Sequence, residues 1–384
     1  MLVNNLKLKK IFEEKAFLLS VFMLMSMYVF SLSNISSLSF SKPLFLVMRL
    51  LSYSLVAIKF AIDLFDREYS LKEMIYIIVI GLFMLYISFN SHTINYLVYY
   101  IYVVVGKNVK YTKIIKTAFL AIFISSFIIL FCFAFGIIKD VVKIDLGKRR
   151  DRHSFGFVFA SYFATYSFYA ILYYIYLRNK NLKLFELLIL FCVAVVVYYI
   201  TDTRSAFAFS LLAIIITFLV KYVKAFNAYK SFYKYILYFC SVFFPLSIFI
   251  LSIIYDNNKK LLVFINGILS GRLALTNLAL KEYHITLFGQ YIKFNARFDT
   301  IERYNVVDSA YMLYLLILGA VFFVLMIVLF IYMGHLISNK KDVYLFYIFI
   351  IALAHATFDP QLLQMSHSAF MYVLSYKNEI INYE

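Results

Sequence analysis

Charged residues, proline, glycine and cysteine are all scarce in this chain. Only 15% of its 384 residues are charged, and it has three prolines, ten glycines, three cysteines and no tryptophan. An average soluble domain carries about 25% charged residues. The shortage of charge excludes a soluble enzyme and a disordered tail. Three cysteines without a paired or zinc-binding spacing exclude a disulfide scaffold.

The few charges are unequal in sign. Lysine and arginine number 37 against 20 aspartates and glutamates, which gives a formal net charge of +17. Because the cations punctuate apolar runs rather than forming one dense block, they indicate membrane topology and not a nucleic-acid surface. No Walker loop or glycine-rich nucleotide motif is present, so we expect no cofactor. An activated substrate must then arrive on another carrier, such as a lipid.

Apolar residues, in contrast, are abundant. They make up 64% of the chain, which suffices for about twelve transmembrane helices at about 20 residues per span. We therefore predict an all-α polytopic membrane protein in which residues 1–384 form a single integral membrane domain. The apolar runs predict spans at residues 16–33, 43–62, 74–89, 93–105, 114–138, 155–177, 182–200, 205–220, 235–254, 310–337, 343–358 and 362–376.

The basic residues orient these spans. With the N-terminus inside, every short inner loop is basic, while the short outer loops carry only Lys42 and Arg204. Both termini are therefore predicted to be cytoplasmic. Lys59, near the inner end of the second span, is expected to extend its amine to the membrane surface. Two longer segments, 139–153 and 255–309, then lie outside, the larger one between the ninth and tenth spans.

Both longer outer segments are basic, which opposes the topology rule. One explanation is that long loops are translocated regardless of charge. The other is an anionic ligand at the outer surface, because arginine clusters bind phosphate through bidentate, charge-assisted hydrogen bonds. The candidate ligand-binding residues in these segments are Arg149, Arg150, Arg152, His153, Arg272 and Arg297.

The larger outer loop holds the strongest candidate site. Residues 273–283 are predicted to form a short amphipathic helix at the membrane surface, with Ser270 as its N-cap and Arg272 in its first turn. An arginine at a helix N-terminus is a ready phosphate site; a capped surface helix with a solvated arginine is the alternative. His284 follows the helix and Asp308 opens the tenth span. Each is either a candidate proton acceptor or a structural residue.

Other polar residues lie at the ends of spans or within them. Arg204, in a very short outer turn, reaches either ordinary lipid phosphates or the head group of a lipid substrate. Arg49 lies inside the second span, where an ionisable residue is a functional candidate by default. His355 and Asp359 are four residues apart and are predicted to share a helix face, for a structural hydrogen bond or a minor part in the outer site. Their loose spacing with His367 does not favour a metal site.

Several short motifs resemble those of one family of membrane enzymes. Arg152-His153-Ser154-Phe155-Gly156-Phe157 opens the sixth span, and Thr203-Arg204-Ser205 lies between two spans. Ser270-Gly271-Arg272 is followed by Leu287-Phe288-Gly289 and Asp308-Ser309-Ala310-Tyr311, with 315–319 behind. In order, spacing and the large outer loop, these segments resemble the Wzy-type polysaccharide polymerases of capsule and O-antigen assembly, which are related to the O-antigen ligases. The resemblance covers residues 149 to 384.

The chain departs from the family pattern at two places. Val158-Phe159-Ala160-Ser161 stands where the family often carries Pro-Asn after the Gly-Phe pair. Asp308-Ser309 stands where the ligase branch commonly has His-Asn. The second departure favours a polymerase over a ligase.

The resemblance implies a glycosyl transfer on the outer face of the bacterial cytoplasmic membrane. The growing glycan on undecaprenyl diphosphate moves onto the sugar of a new lipid-linked repeat unit. A chain-length regulator and a flippase are the implied partners, and no metal is required. The implied catalytic residues are Arg272, Asp308 and His284, and the implied diphosphate or glycan ligands are Arg204, Arg149, Arg150, Arg152, His153, Arg49 and Arg297.

Other functions stay open at this point. A ligase-like glycan transferase has nearly the same parts. A flippase for lipid-linked oligosaccharides is expected to have pseudo-symmetric halves and cations deep in several spans, of which only Arg49 is present. A membrane scaffold does not need arginines that oppose the topology rule.

Overall fold

The computed structural model describes residues 2–143, 151–223, 229–295 and 305–378. Within them the regular secondary structure is helical apart from one short antiparallel hairpin, β1 (Val142–Lys143) with β2 (Arg152–His153), and irregular loops connect the helices. The helices are α1 (Leu2–Ser31), α2 (Ser41–Phe65), α3 (Leu71–Ser91), α4 (Asn95–Val105), α5 (Tyr111–Ala134), α6 (Ala160–Arg178), α7 (Leu184–Thr201), α8 (Arg204–Tyr222), α9 (Tyr233–Ile254), α10 (Lys260–Ile268), α11 (Arg272–Glu282), α12 (Ala310–Leu318), α13 (Ala320–Lys340) and α14 (Val343–His355).

Eight helices in the described ranges are long and apolar enough to cross a membrane. They are α1 from Lys9 onward, α2, α3, α5, α7, α8, α9 and α13. These helices confirm a polytopic, all-α membrane protein. The eight helices that meet this criterion of length and composition are fewer than the roughly twelve spans predicted from the apolar runs. Several predicted spans are short, broken or not α-helical.

The connections between helices gather at two ends of the bundle. At one end, which we call the site end, Ser33 bridges to Phe157 and the amide of Ala310 donates to the carbonyl of Ala356 at 2.9 Å. At the opposite end, ion pairs link segments that are distant in sequence. They are Lys9–Asp66 at 2.7 Å, Lys107–Glu73 at 2.8 Å and Arg178–Glu186 at 2.8 Å. Helices α1 to α9 therefore alternate in direction between the two ends.

The predicted span at 310–337 is wrong as a single helix, because the chain breaks at Gly319. This residue has φ +91° and ψ 169°, a conformation accessible essentially to glycine alone. The loop around Leu287 supplies the missing hydrogen bonds. The amide of Ala320 donates to Thr286 O at 2.9 Å, and the amide of Gln290 donates to Ile317 O at 3.2 Å. A break at this depth is tolerated because protein, not lipid, satisfies the freed backbone groups.

The predicted span at 362–376 is also wrong as an α-helix. The chain forms turns up to residue 369 and then a 3₁₀-helix, Phe370–Asn378. Buried tyrosines bond this irregular backbone: Tyr173 Oη donates to His367 O at 2.8 Å, and Tyr314 Oη donates to Pro360 O at 2.7 Å. Irregular backbone inside a membrane protein needs such internal partners. The tyrosines of α6 and α12 therefore have a structural role that hydropathy alone does not reveal.

The expectation that Lys59 extends to the membrane surface is wrong. Its side chain is buried, and Nζ lies 2.6 Å from the equally buried Asp63 carboxylate one turn later. The amine also lies 5.8 Å from the centre of the Phe17 ring. A buried amine is tolerated when a carboxylate compensates for the lost hydration.

Candidate active site

The hairpin at the site end is organised by Asp140. One oxygen of this carboxylate lies 2.7 Å from His153 Nδ1, and the other accepts hydrogen bonds from the amides of Ser154 and Phe155 at 2.9 and 2.8 Å. Burial opposes ionisation of Asp140, but these donors outweigh it and hold its pKa below the usual range. His153 therefore contributes to the hairpin fold. Two further candidates of this loop, Arg149 and Arg150, lie outside the described residues.

Arg152 points from the hairpin to the turn between α7 and α8. Its Nε donates to Thr201 O at 2.9 Å, and its Nη2 donates to Thr203 Oγ1 at 3.1 Å. These bonds orient the guanidinium, so little conformational entropy is left to lose when an anion binds. Burial raises the pKa of Asp308, and the charge of Arg152, like that of Arg272, opposes this rise, so Arg152 acts electrostatically on the long loop.

Arg272 is the first residue of α11, as the sequence predicts. The expected capping by Ser270 is wrong, because Gly271, at φ +84°, is the N-cap and no side chain caps this helix. The chain turns by 107° between α10 and α11 at this point. This turn brings Arg272 Nε to 3.4 Å from Asp308 Oδ2, and both side chains stay partly exposed, at 21% and 28%.

Burial and nearby charges have opposing effects on the pKa of Asp308. Burial raises its pKa above the usual range, and the nearby charges of Arg272 and Arg152 oppose that rise. Two arginines from loops more than a hundred residues apart thus act on one carboxylate. This grouping is the main electrostatic feature of the site end.

The predicted helix after Arg272 is confirmed as α11, and α10 before it was not predicted. On α11 the buried residues are Leu273, Thr276, Asn277 and Ala279. Asn277 Nδ2 donates to the carbonyl of Ser252 at 2.9 Å near the end of α9. The helix is therefore anchored to the bundle, and Arg272 is held in place rather than being carried on a free surface segment.

Behind the ion pair lie two buried residues, His355 and Asp359. The helix α14 ends at His355, so the prediction that these two share a helix face is wrong; Asp359 lies in the following turn. Thr165 Oγ1 of α6 donates to Asp359 Oδ2 at 3.1 Å, and the side-chain amide of Gln361 donates to the same carboxylate. Both ring nitrogens of His355 are buried without a hydrogen-bond partner in the described part of the chain.

Several other candidates are not gathered at the Arg272–Asp308 pair. The side chain of His284 is exposed, about 18 Å further along the helical direction of α11. Arg204 opens α8 beside Thr203 with its side chain exposed. Arg49 lies on α2, with Nη2 3.8 Å from the sulfur of Met27 on α1. Arg297 lies outside the described residues.

An apolar groove of about 370 Å³ runs along the bundle between α5, α6 and α7. Its lining includes Phe123, Phe127, Phe163, Ile189, Val193 and Val197. A second, smaller crevice between α6, α7 and α8 shares Val197 and extends to Thr201 and Thr203, the two partners of Arg152. The apolar groove and the small crevice therefore lie on the side of the bundle that carries Thr201 and Thr203.

Comparison with protein-family models, curated proteins and solved structures finds no match. In the described ranges no group of three or more histidines, cysteines, aspartates or glutamates has the arrangement of a metal site. The site contains two arginines, Arg152 and Arg272, that can bind an anion. It also contains two carboxylates, Asp308 and Asp359, that can bind a proton or a cation.

Proposed function

We propose that this protein polymerises oligosaccharides carried on undecaprenyl diphosphate, at the outer face of the bacterial cytoplasmic membrane, to build a capsular or O-antigen polysaccharide. The observation that carries the proposal is the Arg272–Asp308 pair, 3.4 Å apart, with the charge of Arg152 from a separate loop acting on the same carboxylate. The motif resemblance supports it, since its segments meet in space. Leu287 and Gly289 contact Gly319, and Arg272 pairs with Asp308.

The reaction uses this arrangement as follows. A hydroxyl of the incoming sugar attacks the anomeric carbon of the growing glycan, forming a C–O bond. The bond from that carbon to the diphosphate oxygen breaks, and the lipid diphosphate leaves with the bonding electrons. A carboxylate takes the hydroxyl proton. Because charge accumulates on the departing diphosphate, preorganised arginines lower the barrier, by about 3 kcal/mol for one donor.

The described residues take distinct parts in this proposal. Arg272 and Arg152 bind the diphosphate, and Asp308 orients Arg272 and is near enough to accept a proton. Arg204, exposed beside Thr203, extends the cationic surface towards the lipid head group. Arg149, Arg150, His153, Arg297, Arg49 and the exposed His284 remain proposed contacts for glycan or diphosphate. The α5–α6–α7 groove receives part of the polyprenyl chain.

The proposed topology has the site end outside and both termini inside. In it the chain crosses about twelve times. The eight long helices are joined by α4, α6, α14 and residues 362–378, and α12 extends the crossing made by α13. The lysine-rich connections of the opposite end then face the cytoplasm, as the positive-inside rule requires.

A ligase-like transferase is the second candidate, because it needs the same diphosphate site. The aspartate at position 308 favours the polymerase. A flippase is disfavoured, since the arginines of the site lie at one end of the bundle and not along its depth.

Binding of undecaprenyl diphosphate tests the proposed site. We expect the purified protein in lipid nanodiscs to bind this lipid, and Arg152→Ala to weaken binding about tenfold or more, since a charge-assisted hydrogen bond is worth about 1.5–3 kcal/mol. Arg178→Ala, at the opposite end, is the matched control and should bind like the wild type. Equal affinities for all three proteins would contradict the site.

Labelling of single cysteines tests the topology. In a background without Cys132, Cys192 and Cys240, we expect Asp151→Cys and Ser270→Cys to react with a membrane-impermeant thiol reagent on whole cells. Lys72→Cys, at the opposite end, should react only after lysis. If the first two positions stay unlabelled until lysis, the arginines face the cytoplasm and the polymerase proposal fails.

A further inference from the structure

We propose that Asp359, and not Asp308, takes the proton from the attacking sugar hydroxyl, while Asp308 holds Arg272 in place. The inference rests on the proposed function and assigns a residue that neither the motif resemblance nor the site's exposed charges indicate. It depends on the different surroundings of the two carboxylates.

The two carboxylates have different partners. Asp308 lies 3.4 Å from the guanidinium of Arg272, so protonating it weakens an ion pair just when Arg272 must hold a diphosphate. Asp359 is bonded by neutral donors, the hydroxyl of Thr165 and the amide of Gln361. Protonating Asp359 therefore breaks no direct ion pair of the binding arginine. A carboxylate without a direct cationic partner is also the better base.

The groups around Asp359 raise its basicity. The residue is only 8% exposed. Its charged neighbours are Arg272 and Asp308, and Tyr162, Tyr169 and Tyr314 also lie within electrostatic range. Burial, reinforced by the Asp308 charge, raises the pKa of Asp359 to about 7, against the opposing effects of Thr165 and Arg272. An acceptor with a pKa near the working pH is an efficient general base.

Polar atoms on the segments next to this carboxylate have hydrogen-bonding capacity left for a ligand. Among the residues that the structure describes, both nitrogens of His355 and the hydroxyl of Ser309 are buried without hydrogen bonds. The backbone bond from Ala310 to Ala356 holds the segments of Ser309, His355 and Asp359 next to one another. Buried polar groups in native proteins rarely stay unpaired. The hydroxyls of a sugar are suitable partners for this cluster.

The test is the pH profile of transfer with lipid-linked oligosaccharide extracted from cells that lack this gene. Because only ionised Asp359 accepts a proton, the wild-type rate should rise about tenfold per pH unit below about pH 7 and level off above it. Asp359→Asn should lose about 100-fold or more and show no acid limb, whereas Asp359→Glu retains the limb. Affinity for undecaprenyl diphosphate should stay within about twofold in both.

Thr165→Val keeps the inference testable if Asp359→Asn does not fold. Removing this donor disfavours the ionised carboxylate, so the acid limb should move to higher pH. An acid limb that is absent from the wild type, or unchanged in both Asp359→Asn and Thr165→Val, overturns the assignment. If the wild type neither binds undecaprenyl diphosphate nor forms polymer, the proposed function fails as well; if it does both and Asp359→Asn is fully active, only this inference fails.

Discussion

Arg272→Ala is expected to abolish polymer formation, with the rate of glycosyl transfer falling about 100- to 1,000-fold. The guanidinium is fixed by α11 and Asp308, so it meets the departing diphosphate without reorganisation. Arg272→Lys keeps the charge but loses the planar pair of donors. Its rate of glycosyl transfer should lie between those of the wild type and Arg272→Ala. The measurement is the length distribution of surface polysaccharide in cells that carry only the variant gene.

Two controls make this result specific. Protein levels in the membrane must match those of the wild type. Arg178→Ala removes an arginine that pairs with Glu186 at 2.8 Å at the opposite end of the bundle, and it should leave polymer length unchanged. Full-length polymer from Arg272→Ala at normal protein levels would show that the diphosphate is stabilised elsewhere.

Gly319→Ala is expected to prevent stable folding. A Cβ at this position would lie 2.5 Å from Leu287 O, and the φ of +91° is strained for any other residue. Backbone strain of this kind and the displacement of the loop together should cost about 3 kcal/mol or more. We expect a lower midpoint of thermal unfolding and loss of monodisperse protein in detergent.

The packing of the loop against Gly319 can also be tested by changing a residue of the loop. Gly289→Ala should behave like Gly319→Ala, since its Cβ would lie 2.5 Å from Ile317 O. Gly267→Ala in α10 is the matched control, because a Cβ there meets no atom within 4 Å, and alanine favours a helix over glycine by about 1 kcal/mol. If all three variants unfold alike, the packing of the loop against the broken helix is not what stabilises this region.

Local sequence signals predicted the features that are determined by residues close together in the chain, namely the positions of helices and loops. Apolar runs placed the long helices, and the run of helix-forming residues after Arg272 placed α11, although its N-cap is Gly271 and not the predicted Ser270. Arg272 and Asp308 both lie in the loop 255–309, Asp308 at its end and Arg272 after α10, so their approach required the chain to turn back towards the bundle at Arg272. The sequence therefore suggested that Arg272 and Asp308 lie near each other, but it did not determine the distance between them.

The rest depended on contacts between segments far apart in the chain. The break at Gly319 could not be predicted because an apolar run looks continuous until the loop at Leu287 is seen to fill the gap. Asp359 looked like the next residue on a helix face, and its setting is determined by Thr165, almost two hundred residues earlier. Lys59 was predicted to reach the membrane surface, but it is buried beside Asp63 on its own helix and the ring of Phe17 on α1.

The most direct measurement is the reaction itself in a purified system. The protein in vesicles would receive lipid-linked oligosaccharide extracted from cells that lack this gene, with a chelator present throughout. We predict longer lipid-linked glycans, one undecaprenyl diphosphate released for each new glycosidic bond, and neither product with Arg272→Ala. Recovery of the lipid-linked oligosaccharide unchanged, or its movement to the other leaflet without release of undecaprenyl diphosphate, would contradict a polymerase.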